Sequence, residues 1–272
     1  MKLLVPVKQV VRLGPDAVPD AAGRLAPADL EWQLNEWDAF SVEAALQLVE
    51  ADATGTGDGA AKADGAGEVV VVSVGDEHVE AGLRSYLAMG ADRAVRIWDP
   101  ALQDADALAV AAVLAALAKR EQPELILCGA QSSDAANAAT GVALAGLLEL
   151  AHVAVVGAIA REGERLTVQR ELDGGAVEVL ELSLPALLTV QSGTNAPRHA
   201  TLRAIKQARE KPLERLGLDE LGLGAGTLSA AAGSRIVSLA VPERDAHASM
   251  IEGSAGEIAA RIAAIVSEEL AS

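Results

Sequence analysis

Short apolar runs that alternate with stretches of helix length constrain this chain more than any single motif. Residues 3–7 open it as a run of strand length, and residues 69–74, 94–98 and 125–128 repeat the pattern, the second ending at Gly75 and the fourth at Gly129. Between them lie segments with helical spacing. In the first, Val42, Ala45, Leu46 and Val49 fall at i, i+3, i+4 and i+7, and Asp38 or Ser41 can cap it. Residues 77–89 form the second, closed by Gly90. Asp104 or Asp106 starts the third, with Val110, Leu114 and Leu117 on one face. The order β-α-β-α-β-α-β joins parallel strands by helical crossovers, so the fold class expected is α/β with a doubly wound parallel sheet. Half the residues are hydrophobic, 51%, yet there are only one Phe, one Tyr and three Trp. A core of Ala, Val, Leu and Ile suits helices packed on a sheet buried on both faces.

Beyond residue 152 the pattern changes. Residues 153–159, 166–171, 177–182 and 187–190 read as strands, with Leu172-Asp173-Gly174-Gly175 as a hairpin turn between the middle two, so an antiparallel extension at the sheet edge is expected. Residues 51–67 are small and of low complexity and read as a solvated insertion. After Pro212 the chain is Gly- and Leu-rich, until a helix over 257–270 places Ile258, Ile262 and Ile265 on one stripe. Residues 212–272 are too few for a core of their own and read as an arm that needs a partner surface.

The formal charge of −17 argues against nucleic acid, whose binding needs clustered Lys and Arg, and against an anionic membrane surface. The single Cys128 excludes an internal disulfide framework and fits a reducing, cytoplasmic setting. The opening apolar run is too short for a signal peptide, and no later run approaches a membrane span.

The segment Cys128-Gly129-Ala130-Gln131-Ser132-Ser133-Asp134-Ala135-Ala136-Asn137-Ala138-Ala139-Thr140-Gly141 carries the strongest chemical signal, because it follows a strand and leads into a helix ending near Leu148. In doubly wound sheets ligands bind beyond the carboxyl ends of the strands, and the free N–H groups of a helix start favour an anion. On its pattern alone the segment is equally an ordinary capped loop, and it is neither a Walker A nor a G-x-G-x-x-G sequence. Asn35-Glu36-Trp37-Asp38 is a polar box before a helix, and Pro6 and Val74 end the first two strands on the same rim, so these segments share one expected cleft. His78, His152, His199 and His247 lack metal-ligand spacing, and no catalytic triad or carboxylate pair is recognisable.

These residues resemble the β subunit of electron transfer flavoproteins. The likeness runs through Lys2 to Gln9, the Asn35-Glu36-Trp37-Asp38 box, and Leu87-Ala88-Met89-Gly90-Ala91-Asp92-Arg93-Ala94. It continues through Gly129-Ala130-Gln131-Ser132-Ser133-Asp134 to Thr140-Gly141, Arg170-Glu171-Leu172-Asp173-Gly174-Gly175, and Asn195-Ala196-Pro197-Arg198-His199-Ala200-Thr201-Leu202. It spans nearly the whole chain in the family's order.

The resemblance implies a Rossmann-like, adenine-nucleotide-binding domain over residues 1–190, a partner recognition loop over 191–211, and an arm over 212–272 packing on a larger α subunit. That α subunit would hold most of the FAD, while this chain would bury AMP. Carried over, the nucleotide site is Pro6, Asn35, Glu36, Trp37, Asp38, Val74, Gly129, Ala130, Gln131, Ser132, Ser133, Asp134, Asn137, Ala138, Ala139 and Thr140. Trp37 stands where the family has an aromatic that approaches the flavin. Pro197, Arg198 and Leu202, the last as anchor, would dock a dehydrogenase, and Glu171 would tie the moving flavin domain to this subunit. The implied function is an electron carrier without catalytic residues of its own, serving a dehydrogenase and a downstream acceptor. The family's usual Asn-Pro-Phe/Tyr box is Asn-Glu-Trp here, and Ala138 and Ala139 replace frequent polar residues, so phosphate contacts fall to the backbone or Thr140. Asn-Glu-Trp-Asp, Gln-Ser-Ser-Asp and Met250-Ile251-Glu252-Gly253 look more like the non-bifurcating type serving methylotrophic amine dehydrogenases. Two other readings stay open: a bifurcating member with a second FAD in place of AMP, and a flavin-free adenine-nucleotide sensor.

Overall fold

Three consecutive residues near the start, Leu3, Leu4 and Val5, are fully buried, which fits a strand covered on both faces. They lie in β1 (Lys2–Pro6), the middle strand of the main sheet. The computed structural model describes residues 1–14, 17–20, 23–54, 67–237, 240, 241 and 249–271. Along the chain follow β2 (Gln9–Leu13), β3 (Leu30–Leu34), α1 (Glu36–Thr54), β4 (Glu68–Val74), α2 (Val79–Met89), β5 (Arg93–Ile97), α3 (Ala107–Glu121), β6 (Leu125–Gly129) and α4 (Thr140–Leu148). The second half supplies β7 (Ala151–Val156), β8 (Ala158–Glu162), β9 (Arg165–Glu171), β10 (Val177–Ser183), β11 (Ala186–Val190), α5 (Leu202–Ala208), β12 (Leu213–Leu216), α6 (Ala225–Ala231) and α7 (Ala255–Ala271).

Seven strands lie in the order β12-β5-β4-β1-β6-β11-β7, and every neighbouring pair is parallel. Side chains alternate between the faces with the strand period of two. Leu3, Val5, Val69, Val71, Leu125 and Leu127 pack with Val42 and Leu46 of α1 and Leu83 and Leu87 of α2. Leu4, Val70, Val72 and Ile126 pack on the other face with Leu114 and Leu117 of α3 and Leu144 of α4. The sheet is therefore doubly wound, as the alternation requires.

The helix ends follow from local chemistry. Gly90, at φ 141, closes α2. Of the two cap candidates for α3 the structure uses Asp106, whose side chain accepts from the Ala109 N–H at 2.9 Å. α1 starts at Glu36, ahead of both expected caps, and reaches Thr54; the rest of the low-complexity stretch, residues 55–66, lies outside the described residues.

Two stretches divide in the structure. The strands expected over residues 153–190 do not all form an antiparallel edge. β8, β9 and β10 do, as a separate sheet whose hairpin turns at Gly174 and Gly175 (φ 78 and 79), but β7 and β11 join the parallel sheet. All five residues of β11 are buried, so it belongs between covering layers, and it inserts between β6 and β7. The run 153–159 breaks at Gly157, whose N–H donates to Gln169 O at 2.8 Å and starts the second sheet. The stretch after Pro212 also divides. β12 pairs with β5 at the edge of the main sheet, and Met1–Ala17 with Leu25–Val237 make one compact unit. Val18–Arg24 with Ser238–Ser272 make a second, whose helix is α7. The antiparallel pair β2 and β3 was not foreseen.

Candidate functional site

The chain runs from β1 to β4 and β5 on one side, then returns through α3 to β6 on the other side of β1. Such a reversal opens a crevice at the carboxyl ends of the two strands that flank it. Here those ends are Pro6 and Gly129, with Val74 ending β4 on the same rim.

The first turn of α1 lies against the end of β6, and Gly129 is what lets it. A Cβ on Gly129 would stand 2.3 Å from Asp38 Oδ1 and 3.0 Å from Trp37 Cβ. Asp38 is not a helix cap. It is 4% exposed, and its Oδ2 accepts the Lys8 N–H at 2.6 Å. Burial pushes its carboxyl up to about 7, against the opposing pull of the donors from Lys8, Asn35 and Gly129. Asn35, 2% exposed, donates from Nδ2 to Gln131 O at 2.9 Å and accepts the Ser133 N–H at 3.3 Å. Asn35 and Asp38 therefore fasten the strand-end loops to one another.

Lys8 was not among the expected site residues. Its Nζ donates to Asp134 Oδ1 at 2.7 Å and to Ser132 Oγ at 3.3 Å, bringing a cation to this rim. Burial raises the Asp134 carboxyl, but the Lys8 and Ser132 donors and the Lys8 charge bring it below its ordinary range. The only sequence signal for Lys8 was its place two residues after a strand-ending Pro6. The loop itself is exposed from Ser133 to Ala138, with Ala136 and Ala138 held at φ 50 and 49, in the left-handed region that costs an L-residue energy. α4 then begins at Thr140 and runs to Leu148, where its expected end lies. Ala139 makes no side-chain cap bond, so the helix start is left uncapped. Gly141 lets it sit close to the sheet, since a Cβ there would stand 2.7 Å from Thr189 Cγ2.

The structure thus gathers Pro6, Asn35, Trp37, Asp38, Val74 and the loop from Gly129 to Thr140 at one end of the sheet, while the Glu36 side chain is exposed. Trp37 donates from Nε1 to Gln191 Oε1 at 3.1 Å, so its indole bridges the crevice and the segment after β11. Leu202, the first residue of α5, is 81% exposed, and Thr201 caps that helix by accepting the Ala204 N–H at 3.2 Å. Arg198 is engaged by Glu43 and Glu50 of α1, and Glu171 is exposed at the end of β9. Among the described residues no three His, Cys, Asp or Glu side chains group as a metal site, and no helix is long and apolar enough to cross a membrane. His247 lies outside the described residues.

Parallel strands, a reversal beside β1 and a crevice at the carboxyl ends define the class: a doubly wound α/β protein with its site at the switch point. Residues 23–221 match the electron transfer flavoprotein domain family. The chain is 42% identical over 98% of both chains to the electron transfer flavoprotein subunit beta of Methylophilus methylotrophus. It is 38% identical to the mitochondrial subunit beta of Oryza sativa subsp. indica, over 81% of this chain and 83% of the relative. With the subunit beta of Bos taurus it shares 33% identity over 82% of this chain and 84% of the relative. The chain belongs to the electron transfer flavoprotein family, whose business is electron transport.

Proposed function

We propose that this chain is the β subunit of a heterodimeric electron transfer flavoprotein. In this reading it holds AMP in the crevice at the ends of β1, β4 and β6, leaves most of the FAD to an α subunit, and receives a dehydrogenase on residues 191–211. Electrons then pass to a downstream acceptor. The names of the relatives, each a subunit beta, support an α partner.

The observation that carries the nucleotide reading is the uncapped start of α4 at the switch point. The first amides of a helix have no intrahelical acceptor, and the alanines before this one offer no side-chain donor. An anion there is held by those amides and by the Thr140 hydroxyl, with the helix dipole favouring negative charge. Lys8 adds a cation to the rim, while Pro6 and Val74 offer apolar surface for a flat base. Asn35 and Asp38 hold the loops in place, and Trp37 stands between the crevice and the docking segment. The redox chemistry is that of the FAD when it is bound; the protein supplies position and electrostatics. No residue of this chain is assigned a catalytic role, and the setting proposed is cytoplasmic. The Asn-Glu-Trp-Asp box supports reading it as the non-bifurcating, AMP-binding type, similar to those serving methylotrophic amine dehydrogenases.

The test is to coexpress the chain with its α subunit, denature the complex and quantify the released nucleotides. Equimolar FAD and AMP are expected; two FAD per heterodimer without AMP would assign the bifurcating type, and a colourless complex would remove the flavoprotein reading. Ala138→Asp sharpens the test. Ala138 already has φ 49, a conformation Asp tolerates, so the change adds charge without forcing the backbone. AMP should be lost by like-charge repulsion while FAD stays, and AMP retained at wild-type content would misplace the site.

A further inference from the structure

Residues 191–198 lie along α1 in a way their sequence does not announce. Trp37, Phe40, Glu43, Gln47 and Glu50 recur at intervals of three and four, which makes one stripe of the helix. The segment meets that stripe in chain order. Gln191 accepts from Trp37 Nε1, and Asn195 Nδ2 donates to Phe40 O at 2.9 Å. Arg198 closes the series. Its Nε and Nη2 donate to Glu43 Oε2 and Oε1 at 2.8 and 2.9 Å, and its Nη1 and Nη2 to Glu50 Oε1 and Oε2 at 2.6 and 2.9 Å. Its backbone N–H adds a bond to Glu43 Oε2 at 3.1 Å.

Glu43 is 3% exposed, and Gln47 Nε2 donates to its Oε1 at 2.9 Å. Burial alone would raise the Glu43 carboxyl; the Arg198 donors bring it below its ordinary range, and the two carboxylates in turn raise the guanidinium. A planar guanidinium can serve two carboxylates with paired donors, whereas a lysine offers a single point charge. Every guanidinium nitrogen of Arg198 is already bonded, so the residue is poorly placed to reach a partner itself. Immediately beyond it Thr201 caps α5, and Leu202 and Ile205, 81% and 44% exposed, project one helical turn apart.

Resting on the docking role read for residues 191–211, we propose that Arg198 is a positioning residue for partner docking: held between Glu43 and Glu50, it fixes residues 191–201 to α1 and presents Leu202 and Ile205 to a dehydrogenase in one conformation. Ordering a loose segment on binding weakens affinity, so loss of the clamp raises KM and leaves kcat alone.

The test uses the intact heterodimer with Arg198→Lys and, separately, Glu50→Gln, which keeps the buried Glu43 paired in case the first variant folds poorly. Amide hydrogen exchange is followed over residues 191–205, and steady-state reduction is measured with a purified dehydrogenase that reduces the wild-type complex. Exchange there should quicken about tenfold, and KM for the heterodimer should rise about tenfold with kcat within about twofold. Wild-type exchange in both variants would overturn the proposal, as would faster exchange with unchanged KM. Leu202→Ala, run alongside, tells the two failures apart. If it raises KM while the clamp variants do not, only the positioning role fails; if it too leaves KM unchanged, the docking reading itself is wrong.

Discussion

At the scale of single residues, Asp38 shows how a side chain expected to cap a helix becomes a buried titrating group. Its carboxyl is shut between the start of α1, the Lys8 N–H and the end of β6, and burial moves it from an ordinary 3.8 to about 7. A folded value above the unfolded one means that the folded state binds the extra proton between them. Stability from this group is thus fully present below about pH 4 and is lost as pH rises through about 7, by an amount on the order of 4 kcal/mol. Asp38→Asn keeps an oxygen to accept the Lys8 N–H but cannot ionise. Thermal melts of the wild-type complex should fall between about pH 5 and about pH 8, and those of Asp38→Asn should stay flatter. Parallel pH profiles in the two proteins would show that Asp38 is already ionised when folded. The strand ends that line the crevice were legible because they are written in the local pattern: Gly129 after its apolar run, Pro6 after another. The fastening was not. Lys8 reaches Asp134 and Asn35 reaches Gln131 across more than ninety positions of sequence, and no periodicity encodes such pairs.

At the scale of elements, α5 is a two-turn helix too short to hold itself; Thr201 caps it, its Ala208 is buried in the core, and Arg84 of α2 donates to Ala208 O at 2.7 Å. Leu202 at 81% exposure has nothing to lose in the free protein. A buried Leu→Ala change would cost roughly 2–5 kcal/mol of folding stability, so the expected melting temperature of Leu202→Ala is that of wild type. Reduction by the partner dehydrogenase should slow at least about tenfold, equivalent to about 1.4 kcal/mol, as for an anchor removed from an interface. Normal reduction with a lowered melting temperature would exclude the docking role. The elements that could be read ahead share one property: their signals are local. The caps of α2 and α3, the Gly174-Gly175 turn and the stripe of α7 are each complete within one stretch of sequence. β2 and β3 are separated by a Pro-containing stretch with no tight-turn dipeptide, and they pair only in three dimensions. The placement of β11 between β6 and β7 depends likewise on which neighbours can cover both its faces.

At the scale of the molecule, the chain has a folded sheet unit and a second unit whose helix is poorly covered. Within α7 the side chains of Ile262, Ile265 and Val266 are 49%, 39% and 50% exposed, and together with Ile258 they form one apolar stripe. Helices in proteins draw most of their stability from packing an apolar face, and the exposed stripe on α7 marks a surface that a partner completes. The partner expected is the α subunit. Burying an isoleucine contributes about 1.5–3 kcal/mol, so two of them are worth about 3–6 kcal/mol, or roughly two to four decades in Kd. Ile262→Glu with Ile265→Glu keeps good helix formers at both positions while placing charge on the stripe. The double variant should lose co-purification with a tagged α subunit at micromolar concentration, and with it the FAD. The melting transition of the sheet unit should be unchanged, because the core around β1, β4 and β6 contains neither residue. If the stripe instead joined two copies of this chain, the variant would keep its α subunit and its FAD and change only in sedimentation.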